Sequence, residues 1–324
     1  MRALLFITCL FILTGGLSSF AQSTVGAPKY AHVIVIIEEN HSYGELIGSV
    51  NAPYITRLSR TGALFTSSHG IGHPSQPNYL VLFSGSTQGV VDDNCATSQF
   101  TTPNLGAALI KKGLSFKGFA QTMPSEGYLG CAYTQSTLTV GYLYARKHCP
   151  WVNWQGTGTN QLPASISLPT TGLPKNFTKL PTVAFVVPDM DHDMHNIGAP
   201  GDATAIQRGD KWLKENIAAY AQWAKTHNSL LIVTFDEDDY NPHNNNRIPT
   251  IFYGAGVKPG KYGEAITHFN VLHTIEKMYG LAVTDTSSAK PIVGVWRKRW
   301  KIKTPPPPFY PENPVSRYSL RHSQ

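Results

Sequence analysis

The chain has 324 residues, of which 41% are hydrophobic and 15% charged, with a formal net charge of +7. That length suits one large α/β domain or two ordinary ones, and the apolar share excludes a chain disordered over most of its length. Lys and Arg are scattered except around Arg297-Lys-Arg299, Lys301 and Lys303, and no nucleic-acid motif is present; the excess charge therefore reads as a solvated basic surface rather than a nucleic-acid interface.

Arg2, the apolar run Ala3 to Gly16 and the small-x-small triplet Ser19-Phe20-Ala21 predict a signal peptide over residues 1–21, cleaved after Ala21. The expectation is export, to the periplasm or out of the cell. Residues 22–300 then form one catalytic domain. Its first strand is the apolar run from His32 to Ile37, which opens directly into Glu38-Glu39-Asn40-His41. A short β-branched run of this kind reads as a fully buried parallel strand. Ala52 to Arg60 predicts a helix and Ala63 to Ser67 a second strand. Ser75 follows as the predicted N-cap of a helix that carries Pro77 in its first turn and stops at Gly85. A serine there is ordinarily only a cap. Its functional counterpart is a nucleophile facing helix N-terminal amides that suit a phosphate. Gly70, Gly72 and His73 just before it let a ligand approach the backbone.

Pro103 to Lys112 predicts a helix and Ser115 to Ala120 a strand. Residues 123–174 lack a sustained period and read as an irregular inserted cap, which carries Cys131, Cys149 and Arg146-Lys147-His148. Thr182 to Val187 is a further strand, ending in a segment that holds Asp189, Asp191, His192, Asp193 and His195. Thr204 to His227 is the longest predicted helix. Ser229 to Phe235 is a buried strand that runs into Asp236-Glu237-Asp238-Asp239. Ile248 to Tyr253 is the last predicted strand, and Thr267 caps a helix from His268 to Tyr279. Residues 301–324 read as a proline-rich, disordered tail.

Alternating strands and helices predict an α/β fold with a doubly wound, mostly parallel sheet and helices on both faces. Such sheets place function at the carboxyl ends of their strands. Two buried strands that each end in acids therefore suggest one shared cation, held by Glu39, Asn40, Asp236 and Glu237, with the Ser75 hydroxyl in its shell. His195, with His192 and Asp189, is placed to act as general acid, to orient water or to hold a second ion, and His268 is a further metal candidate. Cys9 leaves with the signal; Cys95, Cys131 and Cys149 remain, which permits one disulfide in three pairings.

Five ordered motifs carry a family resemblance: Val33-Ile-Val-Ile-Ile-Glu-Glu-Asn-His-Ser42, His73-Pro-Ser-Gln-Pro-Asn-Tyr79, Asp193-Met-His195, Thr234-Phe-Asp-Glu-Asp238 and Arg247-Ile-Pro-Thr-Ile-Phe-Tyr-Gly-Ala-Gly256. They resemble the bacterial phosphoesterases that include secreted acid phosphatases and phospholipases C, within the alkaline phosphatase superfamily. The resemblance implies an alkaline-phosphatase-like fold, a metal on Glu39, Asn40, Asp236 and Glu237, and a nucleophile at Ser75. The Asp-rich segment resembles the superfamily's second metal half-site with altered spacing, which leaves open the choice among Asp189, His192, Asp193 and His195 and the number of ions. His73, Asn78, Arg146, Lys147 and His148 are the implied substrate contacts. Cys149 stands where the family often has Asn, so it is the expected free thiol and Cys95–Cys131 the expected disulfide.

The activity implied is hydrolysis of phosphate monoesters through a phosphoserine by an exported, metal-dependent acid phosphatase, with Mg, Ca, Mn or Zn as the ion. The substrate would be a small-molecule or lipid phosphate ester, with peripheral membrane contact in the lipid case, and the protein a monomer. A phospholipase C-type phosphodiesterase and a non-catalytic phosphate- or metal-binding protein are the alternatives.

Overall fold

The computed structural model describes residues 26–297, apart from positions 97 and 286. The predicted signal peptide and the proline-rich tail lie outside the described residues. The chain opens with β1 (His32–Glu38), a short α1 (Tyr43–Leu46), α2 (Pro53–Thr61), β2 (Ala63–His69) and α3 (Ser75–Ser84). α4 (Leu105–Lys111) and β3 (Phe116–Ala120) come next, then the hairpin β4 (Ala132–Gln135) and β5 (Tyr142–Ala145), and the short β6 (Ser167–Pro169). The remainder is β7 (Val183–Val187), α5 (Asp202–Ala224), β8 (Ser229–Phe235), β9 (Arg247–Gly254), β10 (Gly260–Thr267) and α6 (His268–Tyr279).

Eight strands form one sheet in the order β10-β2-β9-β8-β1-β7-β3-β6. β9 runs antiparallel to both its neighbours and the other pairings are parallel. The α/β reading holds, and β1 shows why. Val33, Val35 and Ile37 enter one apolar cluster and Ile34 and Ile36 the other, so both faces are covered and every exposed alternative is closed to the strand. α3 and α6 pack together on one face; α2 and α5 pack together on the other. Ala52, in the cap position before α2, has no polar side chain to cap the helix. Asp210 of α5 does so instead, its carboxylate accepting from the Tyr54 and Ile55 amides at 2.9 and 2.8 Å.

The structure differs from the sequence reading in three places. Ser75 is the first residue of α3 rather than its cap, with Pro74 in the cap position and no side chain capping the helix; the serine hydroxyl is directed elsewhere, as described below. β10, with a mostly exposed and polar pattern, is an added strand that pairs with β2 at the sheet edge. Residues 123–174 contain the β4–β5 hairpin and β6, which extends the main sheet beyond β3. This segment is packed down by Trp151 and Trp154, both fully buried. Gly118 of β3 makes room for Trp151, since a Cβ there would lie 2.0 Å from the indole ring. Cys95 and Cys131 form the expected disulfide, and Cys149 is free and buried.

Candidate active site

The carboxyl ends of the parallel strands meet at one edge. Register pairs Glu38 with Phe235, so the residues after β1 and β8 emerge side by side. The Asp236 amide donates to the Glu38 carbonyl at 3.0 Å, and the Asn40 amide to Asp236 Oδ1 at 3.3 Å. α3, which follows β2 on the far side of β9, brings Ser75 across to them. Its Oγ lies 3.1 Å from Glu39 Oε2 and 3.1 Å from Glu237 Oε1. The side-chain amide of Asn40 points into the same space, its inward atom 3.0 Å from Glu39 Oε2 and 3.1 Å from Glu237 Oε1. With nitrogen inward, Asn40 donates to both acids. With oxygen inward, four oxygens converge, an arrangement that a cation or an added proton among them satisfies.

Glu39, Asp236 and Glu237 are almost completely buried, and Asp236 Oδ2 has no hydrogen-bond partner. Burial pushes the Asp236 carboxyl well up, and the charges of Glu39 and Glu237 push it further. Burial and the Glu39 charge likewise move Glu237 up to about 8. Burial acts upward on Glu39 too, but the charge and hydrogen bonding of His148 outweigh it and hold the acid below its ordinary range. His148 Nε2 is 3.0 Å from Glu39 Oε1, and its Nδ1 is 3.3 Å from Asp193 Oδ2. Burial acts downward on this imidazole, yet the Glu39 charge lifts it to about 9. Tyr79 stacks against the ring with centroids 5.0 Å apart. His195 completes a second group: it, His148 and Glu39 each offer an atom within 4.8 Å of the others'. A dry pocket of carboxylates, a carboxamide and a hydroxyl is hard-oxygen chemistry and fits a divalent cation.

The family model described as Phosphoesterase family matches residues 49–282. A phosphatidylinositol-3-phosphatase of Mycobacterium tuberculosis is 42% identical over 285 residues, which are 87% of this chain and 88% of the relative. The chain belongs to the phosphoesterase family. It is a phosphoric ester hydrolase. An acid phosphatase of Aspergillus fumigatus is 28% identical over 75% of this chain, which spans about half (53%) of that relative. Among solved structures, an alkaline phosphatase superfamily protein from Vibrio parahaemolyticus superposes with a TM-score of 0.56 at 14% identity, covering 80% of this chain and 69% of the other. A lipoteichoic acid synthase from Listeria monocytogenes gives 0.55 at 12% identity, over 84% and 76%. At such identities these two likenesses concern the fold, which is alkaline-phosphatase-like.

The remaining predicted residues of this phosphoesterase fall into three groups. His73 is at the site: its Nδ1 is 2.8 Å from Glu237 Oε2. Asn78 and His268 brace it. Asn78 Oδ1 accepts from the Ile71 and Gly72 amides and its Nδ2 donates to the Gly72 carbonyl, which shapes the loop before Ser75. His268 Nε2 lies 2.6 Å from the Asp236 carbonyl, and burial holds this imidazole down at about 4; neutral, it donates to that carbonyl, which leaves Nε2 without a lone pair for a metal.

Asp189, His192 and Arg146 have partners of their own. Asp189 accepts from Thr122 Oγ1 at 2.7 Å and pairs with His192 Nδ1 at 2.6 Å, and neither residue hydrogen-bonds to Ser75, Glu39, Asp236 or Glu237 among the described residues. Asp193 does reach the site, through His148, while its backbone carbonyl accepts from the Glu39 amide at 2.9 Å. Arg146 donates to Asn153 Oδ1 at 2.9 Å and to the Leu129 carbonyl at 3.0 Å, inside the insertion.

Two residues at the site, Asp93 and Tyr240, were not singled out from sequence; Lys147 was, with its two basic neighbours. Lys147 Nζ pairs with Asp93 Oδ2 at 2.6 Å, and Asp93 Oδ1 accepts at 2.9 Å from the Gln76 amide, one residue beyond the nucleophile candidate. The Lys147 ammonium thus stands beside the start of α3. Tyr240 donates its hydroxyl to Glu237 Oε1 at 3.1 Å. An acid far outside any motif and a tyrosine in a loop leave no pattern to find.

Proposed function

We propose that this phosphoesterase is an exported, metal-dependent phosphomonoesterase that works through a phosphoserine at Ser75, with a lipid phosphate monoester as the favoured substrate class. The observation that carries the reading is the Ser75 hydroxyl, set 3.1 Å from each of two buried carboxylates at the first residue of a buried helix. A serine with only a structural task would cap the helix, and this one does not. The name of the mycobacterial relative supports a lipid monoester, and the disulfide supports an oxidising compartment.

A divalent ion held by Glu39, Asn40, Asp236 and Glu237 would supply positive charge at the serine oxygen and the phosphoryl group. Ser75 Oγ passes its proton to the ionised Glu39 carboxylate, 3.1 Å away, and attacks phosphorus, and the alcohol leaves from the opposite side. His195, held near Glu39 and His148 with its pKa lowered by burial, donates in its protonated form, which acid pH supplies, the proton that the leaving oxygen takes. Water then attacks the phosphoserine and gives a proton to the now neutral His195, inorganic phosphate departs, and Ser75 takes its proton back from Glu39. His148, positively charged between Glu39 and Asp193, keeps Glu39 ionised and aimed at the serine.

The test is hydrolysis of p-nitrophenyl phosphate with and without added divalent ions. Turnover is expected to need the ion and to vanish in Ser75→Ala. Persistence of turnover in that variant removes Ser75 from the role. Release of diacylglycerol from phosphatidylcholine would make the enzyme a phosphodiesterase instead.

A further inference from the structure

Twelve large hydrophobic side chains are exposed among the described residues, and they are not spread evenly. Ten of them lie in segments at the carboxyl edge of the sheet, where the site is; Ile110 and Val283, beside the opposite edge, are the others. Six of the ten gather around the β4–β5 hairpin: Leu129, Tyr133, Leu138, Val140 and Tyr142 in the insertion, and Ile197 after β7. Ile197 joins them because Asn196 Nδ2 donates to the Tyr142 carbonyl at 3.1 Å, and Gly198 sits so close that a Cβ on it would lie 3.0 Å from the Leu138 side chain. The base of the hairpin is fastened. Ser136 Oγ donates to Asp191 Oδ1 at 2.7 Å, the Met190 amide donates to the Leu143 carbonyl at 2.8 Å, and the Cys95–Cys131 disulfide holds the foot of β4. Its tip is bare, with Val140 97% exposed.

From Ala132 to Ala145 the hairpin carries no Asp, Glu, Lys or Arg. Exposed strands ordinarily carry charge, which keeps them solvated and unpaired. An apolar surface without it marks contact with a protein or a membrane. Anchors at a protein interface fill pockets in the partner; these side chains stand singly on a hairpin and a loop, which suits a fluid surface. Tyrosine beside aliphatic residues is also the composition that settles at the boundary of head groups and acyl chains. The place fits the chemistry as well. Asn196 follows His195, the proton donor to the leaving oxygen, so the alcohol part of the ester departs beside the hairpin. Val50, Ile71, Val91 and Tyr240 stand exposed on other loops of the same edge, Val91 held there by the neighbouring Asp92 carbonyl, which accepts from Gln76 Nε2 at 3.0 Å. We propose that the β4–β5 hairpin docks the enzyme on a lipid bilayer, its uncharged tip seated in the interfacial layer and the carboxyl edge of the sheet turned toward the membrane. The proposal rests on the lipid-monoester reading above and gives its membrane contact a surface.

The experiment floats the Ser75→Ala protein with vesicles of phosphatidylcholine alone, at about 0.5 M NaCl, where attraction between charges is screened. Binding is expected under these conditions, and Val140→Asp in the same background should weaken it by about fivefold or more. Val283→Asp, beside the opposite edge of the sheet, should leave it unchanged. Turnover is then read with Ser75 in place, on phosphatidic acid dispersed in the same vesicles and on p-nitrophenyl phosphate in solution. Val140→Asp should lower kcat/KM for the lipid by about fivefold or more, and keep p-nitrophenyl phosphate within about twofold of the wild type. No flotation of the Ser75→Ala protein, equal flotation after Val140→Asp, or an equal loss in Val283→Asp would overturn the proposal. A dimer in sedimentation that Val140→Asp dissociates, without vesicle binding, would overturn it in favour of a second copy of the chain. Flotation that Val140→Asp abolishes, with neither ester hydrolysed by the wild type, would support the docking surface and fault the catalytic reading.

Discussion

Two acidic clusters lie at the carboxyl edge of the sheet, and they differ in what their oxygens touch. After β7, Asp189 is satisfied by Thr122 and His192, and Asp191 accepts from Ser136 Oγ and from Asn196 Nδ2, both at 2.7 Å. These acids are hydrogen-bonded like structural groups. After β1 and β8, Glu39, Asp236 and Glu237 face one another and a serine, with an oxygen of Asp236 left without a partner. Buried charge that lacks protein partners is costly, and it persists where a ligand will supply them. The density of metal-competent residues is higher in the first cluster; apart from Asp193 Oδ2, which faces His148, the unmet demand is in the second.

The comparison can be broken most forcefully at Ser75. Ser75→Ala is expected to lower kcat for p-nitrophenyl phosphate by at least about a thousandfold, with the folded structure intact by circular dichroism. Next is the ion itself. Added Mg²⁺, Mn²⁺, Ca²⁺ or Zn²⁺ should raise the wild-type melting temperature, because a ligand that binds only the folded state stabilises it. Asp236→Asn should abolish that rise and, by relieving like-charge crowding, lift the ion-free melting temperature by about 2–4 °C. Lys147→Ala is expected to cut kcat/KM by about tenfold, because Asp93, which holds the Gln76 amide beside Ser75, loses its charged partner. Arg146→Met should instead leave its mark on stability, by about 1–3 kcal/mol in urea unfolding, since Asn153 and Leu129 lose their donor. The smallest effect belongs to the first cluster: Asp189→Asn should change kcat/KM by about threefold or less. A loss in Asp189→Asn comparable to that in Asp236→Asn would erase the distinction between the two regions.

Much of this arrangement was legible in the sequence for a simple reason. A buried parallel strand is a continuous apolar run, and β1 and β8 each end abruptly in acids, so Glu39, Asn40, Asp236 and Glu237 announce themselves. Register then places them together. Ser75 was visible through its helix signals, although its position within the helix was set by the carboxylates it bonds, which no local pattern encodes. β10 was missed because an exposed edge strand carries little apolar periodicity. The pairing of Asp189 with His192 was equally hidden, because spacing reveals which groups are near in sequence and not which hydrogens reach them. Arg146 and Lys147 are adjacent and chemically alike, and only the fold sends one into the insertion and the other toward the helix carrying Ser75.

The central claim is that Ser75 carries the phosphoryl group between substrate and water. Mass analysis of enzyme quenched in acid during turnover reads this directly. One phosphoryl group on the peptide containing Ser75, absent without substrate and absent in Ser75→Ala, is the result expected. Phosphate recovered on a histidine, or none on the protein while hydrolysis proceeds at full rate, would contradict it.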